Sequence, residues 1–208
     1  KRQVHGWNSV RGVPMKLLPG GYIMGGVGGG PFGADAVVVQ DWCGNEVWRW
    51  DGVVPSLGAR QHHDHQKAGN PVGYYAPGMR ADPWGRALIL SGHDPETTTD
   101  GETACPDTSH ISRYPLIDDA IYEVDEDGNV IWSWFACEHF DQMGFSDDAK
   151  EGIMNINVGR GGSTDWTHFN NVNYLGPNKW WRWFRDWRFH PRNIMFDSRS
   201  SGMIGIIA

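Results

Sequence analysis

Val39-Gln40-Asp41-Trp42-Cys43-Gly44-Asn45-Glu46-Val47-Trp48-Arg49-Trp50 recurs in outline as Val124-Asp125-Glu126-Asp127-Gly128-Asn129-Val130-Ile131-Trp132-Ser133-Trp134, with Gly44-Asn45 set on Gly128-Asn129, 84 residues apart. Each copy reads as strand, Gly-Asn turn, strand, and in each the two tryptophans stand two apart and so share one face of the outgoing strand. A second element precedes each hairpin. Met15-Lys16-Leu17-Leu18-Pro19-Gly20-Gly21-Tyr22-Ile23-Met24-Gly25 is strand, turn, strand, and Arg86 to Gly92 and Asn193 to Arg199 take the place of its second strand. A histidine opens each unit: His5, the His62 to His65 cluster, and His168.

Repeats at this spacing indicate stacked supersecondary units, and closing hairpins of this kind belong to propeller blades. The expectation is an all-β chain forming a partial β-propeller domain over 1–208, with four-stranded antiparallel blades at about 5–52, 62–135 and 165–208. Their innermost strands should be entered just after His5, His63 and His168. Met203, Gly205 and Ile207 start a further strand, but no Gly-Asn turn or Trp-x-Trp strand follows them. Propellers close with roughly four to eight blades, so the chain is expected to be the N-terminal part of a longer protein or to be completed by another chain, a second copy included. Taken alone it should lack turnover.

Composition agrees with β structure. Gly 28 and Pro 12 punctuate short apolar runs, and Trp 12 is high for 208 residues. Asp94 to Pro115 reads as a surface loop. One short helix is expected around Ser146 to Ile153, with Ser146 as N-cap and acids in the first turn. No run reaches the roughly 18 apolar residues of a membrane span. A net charge of −7 argues against generic binding to nucleic acid or an anionic membrane surface. Cys43, Cys105 and Cys137 show no Cys-x-x-Cys spacing, so a zinc site is not expected, and one disulfide at most forms within the chain. The chain starts at Lys1 with no h-region.

The chemistry concentrates in Asp165-Trp166-Thr167-His168-Phe169-Asn170-Asn171-Val172-Asn173-Tyr174 and Asn193-Ile194-Met195-Phe196-Asp197-Ser198-Arg199. Both alternate at a period of two, so two strands of one hairpin bring a histidine to the mouth and an arginine, expected on the buried side, close to it. That pair suits an anion. The arginine fork fits carboxylate, phosphate or sulfate oxygens, and the histidine can donate, accept or attack near neutral pH.

These residues resemble the arylsulfate sulfotransferase family: Asp165-Trp166-x-His168-x-Asn170 entering a strand, Asp197-Ser198-Arg199 closing the next, His62-His63-Asp64-His65-Gln66, Gly69-Asn70-Pro71-Val72-Gly73-Tyr74-Tyr75, and the two Gly-Asn turns. The resemblance implies six blades around a central channel, of which about two and a half are present, and a lid role for the helix. It implies sulfuryl transfer from an aryl sulfate to a phenol without a nucleotide donor, through a sulfohistidine whose nucleophile lies beyond residue 208. It implies His63, His168 and Arg199 as catalytic residues and His62, Asn170 and Trp166 as substrate-binding ones. No cofactor or metal is expected, and the compartment it implies is periplasmic or extracellular.

Other readings stand beside these. His62-His63-Asp64-His65 holds three imidazoles and admits a metal-dependent hydrolase, although no second ligand motif accompanies it. A non-catalytic propeller used for binding or assembly fits the same repeats. Asp125 to Asn129 imitates a calcium loop but lacks the later bidentate Glu and reads as a hairpin turn. Gly25 to Gly30 has no Lys-Ser/Thr after it and reads as a connection between blades. Lys179-Trp180-Trp181-Arg182-Trp183-Phe184-Arg185-Asp186-Trp187-Arg188 interleaves bases and aromatics as single-strand binders do; an aromatic rim for an aryl substrate, or packing on the next blade, is the favoured reading.

Overall fold

The two Gly-Asn hairpins fold alike. Asp41 accepts the Asn45 N–H at 2.8 Å and the Asn45 side-chain amide at 2.9 Å, and Asp125 accepts the same groups of Asn129 at 2.8 and 3.1 Å. Gly44 and Gly128 take φ of 85° and 87°, which a side chain would strain. The repeated local chemistry thus gives a repeated turn. The structure, a computed structural model, describes residues 2–29, 33–53, 57–69, 84–95, 105–156 and 162–208. Of the Gly69 to Tyr75 motif, only Gly69 falls within them.

Three antiparallel sheets follow in chain order. The first contains β1 (Arg11–Leu18), β2 (Tyr22–Val27), β3 (Ala36–Gln40) and β4 (Glu46–Trp50). The second contains β5 (Gln61–Lys67), β6 (Ala87–His93), β7 (Leu116–Val124) and β8 (Val130–Phe135), with the short β9 (Thr164–Asp165) parallel to β7. The third contains β10 (Phe169–Tyr174), β11 (Ile194–Ser198) and β12 (Met203–Ile207). The chain is all-β in its main elements, as the alternating runs require.

Period-two alternation splits the middle sheet between two cores. Ala87, Ile89, Ala120, Tyr122 and Val124 pack toward the first sheet with Met24, Val37, Val39, Trp48 and Trp50. Leu88, Leu90 and Ile121 face the other way, with Trp134, Phe169, Val172, Ile194 and Phe196. The repeated tryptophans do the same work twice. Trp50 lies 5.5 Å from Tyr122 of the next sheet, and Trp134 lies 5.5 Å from Phe196 of the sheet after that.

The expected helix is α1 (Asp147–Met154), with Ser146 Oγ accepting the Ala149 N–H at 3.2 Å. A second helix, α2 (Lys179–Phe184), was not expected. Its apolar stripe faces outward and no residue of it is buried, so the inward-facing pattern that marks a packed helix is missing from the sequence. The Asn178 cap was the available signal, since its side chain accepts the Trp181 N–H at 3.0 Å. Cys105 and Cys137 form the disulfide, tying the segment before β7 to the 3-10 turn Ala136–Met143, and Cys43 is free and exposed.

The first strands of the three sheets are joined through one buried carboxylate. Asp64 Oδ1 pairs with Lys16 Nζ of β1 at 2.6 Å, and Oδ2 accepts the Val172 N–H and the Asn171 amide of β10, both at 3.0 Å. Gln66 adds a second tie, accepting the Tyr174 N–H at 2.9 Å. Removing one member of such a cluster leaves a buried ammonium and an unmet N–H. Asp64→Ala should therefore cost about 3–5 kcal/mol of unfolding free energy in urea denaturation.

Buried histidines set an acid limit on the fold. Burial, then the Lys16 ammonium, holds His65 down to about 3, and burial, then Arg60, holds His93 down to about 4. The unfolded chain takes up these protons near 6.5, whereas the folded chain resists them. The stability they contribute is complete above 6.5 and is lost as pH falls toward 4 and then 3. Melting temperature recorded over that range should decline with acid, and His93→Phe should flatten part of the decline.

Candidate functional site at the strand ends

The histidines of β5 and of the β9–β10 connection sit at matching kinks. His63 has φ of 52° and His168 of 48°, both in the left-handed region that non-glycine residues seldom adopt. The pairing with the next strand shifts register across His63, between Gln61 and His65 on β5, and just after His168, between Phe169 and Asn171 on β10. A bulge re-aims a side chain out of the sheet. The bulge on β5 and the left-handed turn into β10 bring the two imidazoles together, with ring centroids 4.9 Å apart, and His62 lies 5.4 Å from His63.

Asp119 of β7 organises the surroundings. Its Oδ2 accepts the Phe169 N–H at 2.8 Å and the Thr167 hydroxyl, while Oδ1 meets His62 Nε2 at 3.0 Å. Asp165 Oδ2 meets His168 Nδ1 at 2.5 Å. A carboxylate can only accept, so Nε2 of His62 and Nδ1 of His168 carry the protons; His62 Nδ1 is buried and unpartnered among the described residues, and His168 Nε2 is the nitrogen left to a ligand. His63 is held below the ordinary histidine value, by burial first and then by the neighbouring His62, His168 and Arg199.

Arg199 follows β11 in the turn to β12. Its N–H donates to the His168 carbonyl at 3.1 Å, and the Ser200 N–H donates to the Thr167 carbonyl at 3.0 Å. The turn therefore carries Arg199 to the His168 loop. The arginine expected on the buried side is exposed, because the strand ends at Ser198 and the turn lifts the next residue clear. Among the described residues no carboxylate pairs with its guanidinium.

Other expected site residues fall elsewhere. Trp166 is wholly buried, donating its indole N–H to Asp118 Oδ1 at 2.8 Å with its ring edge-on to Phe140 5.4 Å away; it braces the loop from beneath instead of meeting a substrate. Asn170 donates to the His168 carbonyl at 3.3 Å and so fixes the loop. His5 is not beside His63. It stacks on Trp42 at 3.9 Å in the β3–β4 turn, at the opposite strand end, because residues 7–10 cross the sheet from that turn before β1 begins. His62, His63 and His65 do not converge: His62 faces Asp119, His63 faces His168, and His65 is buried toward the Met24 carbonyl. Among the described residues, no three His, Cys, Asp or Glu side chains gather as metal ligands.

Two acids went unsingled in the sequence. Asp118 and Asp119 interrupt the apolar run of β7, and charged residues in such a place are buried only when partnered, which was the available signal. Burial raises Asp118 to about 8, against the pull of its Cys137 N–H and Trp166 indole donors.

A histidine backed by a carboxylate, an arginine delivered to the same loop, and an Asp-Trp-x-His-x-Asn loop entering a strand are now in place together. Residues 86–180 match the arylsulfotransferase (ASST) family model. The arylsulfotransferase match takes in Asp119, Asp165, Trp166, His168 and Asn170, while His62, His63 and Arg199 lie outside it and reach the same site through the fold. No curated protein matches the chain.

Asp119→Ala removes an acceptor from three groups at once. Hydrogen exchange at the Phe169 amide should quicken by about tenfold or more, the scale of one lost hydrogen bond to a charged group. Unchanged protection would mean that the loop is held without Asp119.

Proposed function

We propose that the three sheets are successive blades of a β-propeller and that the cluster of His62, His63, His168 and Arg199 is the sulfuryl-binding part of an arylsulfotransferase active site at the channel end of their first strands. The reading is carried by one observation: His63 and His168 meet at 4.9 Å beside Arg199, whose backbone N–H is tied to the His168 carbonyl and whose guanidinium pairs with no carboxylate among the described residues. Closure of the ring requires further blades, from the rest of the polypeptide or another chain. They would cover exposed Leu17 on one flank and Ile204 and Ile206 on the other.

In this proposal the substrates are an aryl sulfate donor and a phenolic acceptor, with no nucleotide. A histidine nitrogen, supplied by a later blade as the resemblance implies, attacks sulfur; the sulfur–oxygen bond breaks and its electron pair leaves on the aryl oxygen. The acceptor phenol oxygen then attacks sulfur, the nitrogen–sulfur bond breaks, and the phenol proton passes to a base. Charge spreads over the equatorial sulfuryl oxygens as it does in phosphoryl transfer, so fixed donors supply most of the stabilisation. Arg199 clamps those oxygens, and His168, oriented by Asp165, donates to the sulfuryl group or the departing phenolate. His63 and His62 complete the pocket wall, and Trp166 and Asn170 position the loop. The Cys105–Cys137 disulfide favours the periplasmic or extracellular setting.

The test is transfer from 4-nitrophenyl sulfate to phenol by the full-length protein. His168→Ala and Arg199→Ala should each slow it by about two or more orders of magnitude, the scale of a lost oxyanion donor. Near-normal rates in both variants would remove their assigned roles.

A further inference from the structure

The excursion between β10 and β11 spends its hydrogen bonds on holding aromatics out of the core. No residue of α2 or of the 3-10 turn Trp187–Phe189 is buried, and Trp183, Phe184 and Trp187 are each about two-thirds exposed. Trp180, Trp183 and Phe184 share one helical stripe at i, i+3 and i+4, with Trp180 and Phe184 ring centroids 5.5 Å apart. The segment is nevertheless fixed. Asn178 donates its amide to the Gly176 and Phe189 carbonyls at 2.9 and 2.8 Å, and Asn193 donates to the Trp187 and Arg188 carbonyls at 2.8 and 3.1 Å. Large apolar groups held rigidly in water mark an interaction surface.

Charge narrows the partner. Within this segment Lys179, Arg182, Arg185, Arg188 and Arg192 stand against a single acid, Asp186; Arg188 takes it at 2.7 Å and Arg192 reaches Glu123 of β7 at 3.5 Å, which leaves Lys179, Arg182 and Arg185 to carry the patch. Arg182 and Arg185 lie over the rings of Trp183 and Trp181, at 5.0 and 5.3 Å, and no carboxylate among the described residues pairs with them. The chain's net charge of −7 acts mostly from beyond a screening length and does not cancel this patch. Tryptophan beside arginine on a short outward stripe is the composition that seats at the headgroup level of a bilayer, rings toward the acyl boundary and cations on the phosphates. A single-stranded nucleic acid needs a groove with rings laid flat as stacking platforms. These rings instead project from one excursion, with Trp180 tilted by 35° to Phe184 and by 31° to Phe189. The disulfide also suits a compartment where a lipid surface is the commoner partner.

We propose that residues 179–192 dock the protein reversibly on an anionic phospholipid surface, in the interface plane and without crossing it. The test is vesicle flotation of the purified chain with phosphatidylcholine alone and with added phosphatidylglycerol, followed by tryptophan emission. Wild type should float with the anionic vesicles, shift its emission to the blue, and be released by salt. Trp183→Ala with Trp187→Ala, and separately Arg182→Glu with Arg185→Glu, should each cut partition about tenfold or more, with thermal melting unchanged because neither pair is buried. Equal partition onto neutral and anionic vesicles, binding that both paired variants retain, or capture of an oligothymidylate with no flotation would each overturn the proposal, as would loss of the exposed tryptophan emission to self-association in sedimentation.

Discussion

Everything at the site hangs on Asp64. It is nearly fully buried, yet each of its oxygens is engaged: Oδ1 by the Lys16 ammonium and by the His65 N–H, Oδ2 by the Val172 N–H and the Asn171 amide. A carboxylate in a low-dielectric place is tolerated only with that degree of pairing. The consequence is geometric. Three strands from three sheets are pinned to one point, and the bulge that presents His63 comes one residue before that point. The left-handed turn at His168 comes four residues before Val172, so the separation of the two imidazoles is set by a fixed anchor and short stretches of chain.

Around this anchor the apolar packing is translational. The middle sheet gives odd-numbered β6 residues to one neighbour and even-numbered ones to the other, and the closing hairpins deliver Trp48 and Trp50, then Trp132 and Trp134, into successive interfaces. Lys67 shows how a cation can be kept in such a wall: its ammonium sits 4.0 Å from the Trp48 ring centre and donates to the Gly85 carbonyl at 2.7 Å. Apolar burial holds the sheets together, but it leaves their sliding free. The polar ties of Asp64 and Gln66 fix the register.

This division explains what could be read from the chain. The hairpin repeat was legible because turn chemistry is local: Asp41 to Asn45 and Asp125 to Asn129 make the same bonds from the same letters. The pairing of His63 with His168 was legible as two strand-entering motifs, although their bulges were not, since a register shift depends on the partner strand. Trp166 was misplaced for a related reason. Its neighbours in sequence face the site, but β9 pairs parallel with β7 and turns the indole under the loop to Asp118, a contact spanning 48 residues. His5 shared only a letter with the other two histidines and none of their strand context. The α2 helix escaped because its stripe looks outward.

The electrostatics of the mouth follow from which groups are already spent. Asp119 is engaged by three donors through both of its oxygens, and Asp165 meets His168 Nδ1 through Oδ2. Both dictate tautomers: His62 keeps a buried, unpartnered Nδ1, and His168 keeps Nε2 for a ligand. A neutral imidazole offers an anion a lone pair at that nitrogen, which repels it; only the protonated ring offers an N–H there. His63, held below the ordinary histidine value by its burial first and then by His62, His168 and Arg199, is the least suited to that conversion. On the proposed reading, a sulfuryl group entering this space would meet one permanent cation, Arg199, and one histidine, His168, whose second N–H depends on proton supply. On that reading, binding by the first and proton delivery by the second are separable tasks, and the turn that ties the Arg199 N–H to the His168 carbonyl holds the two residues together.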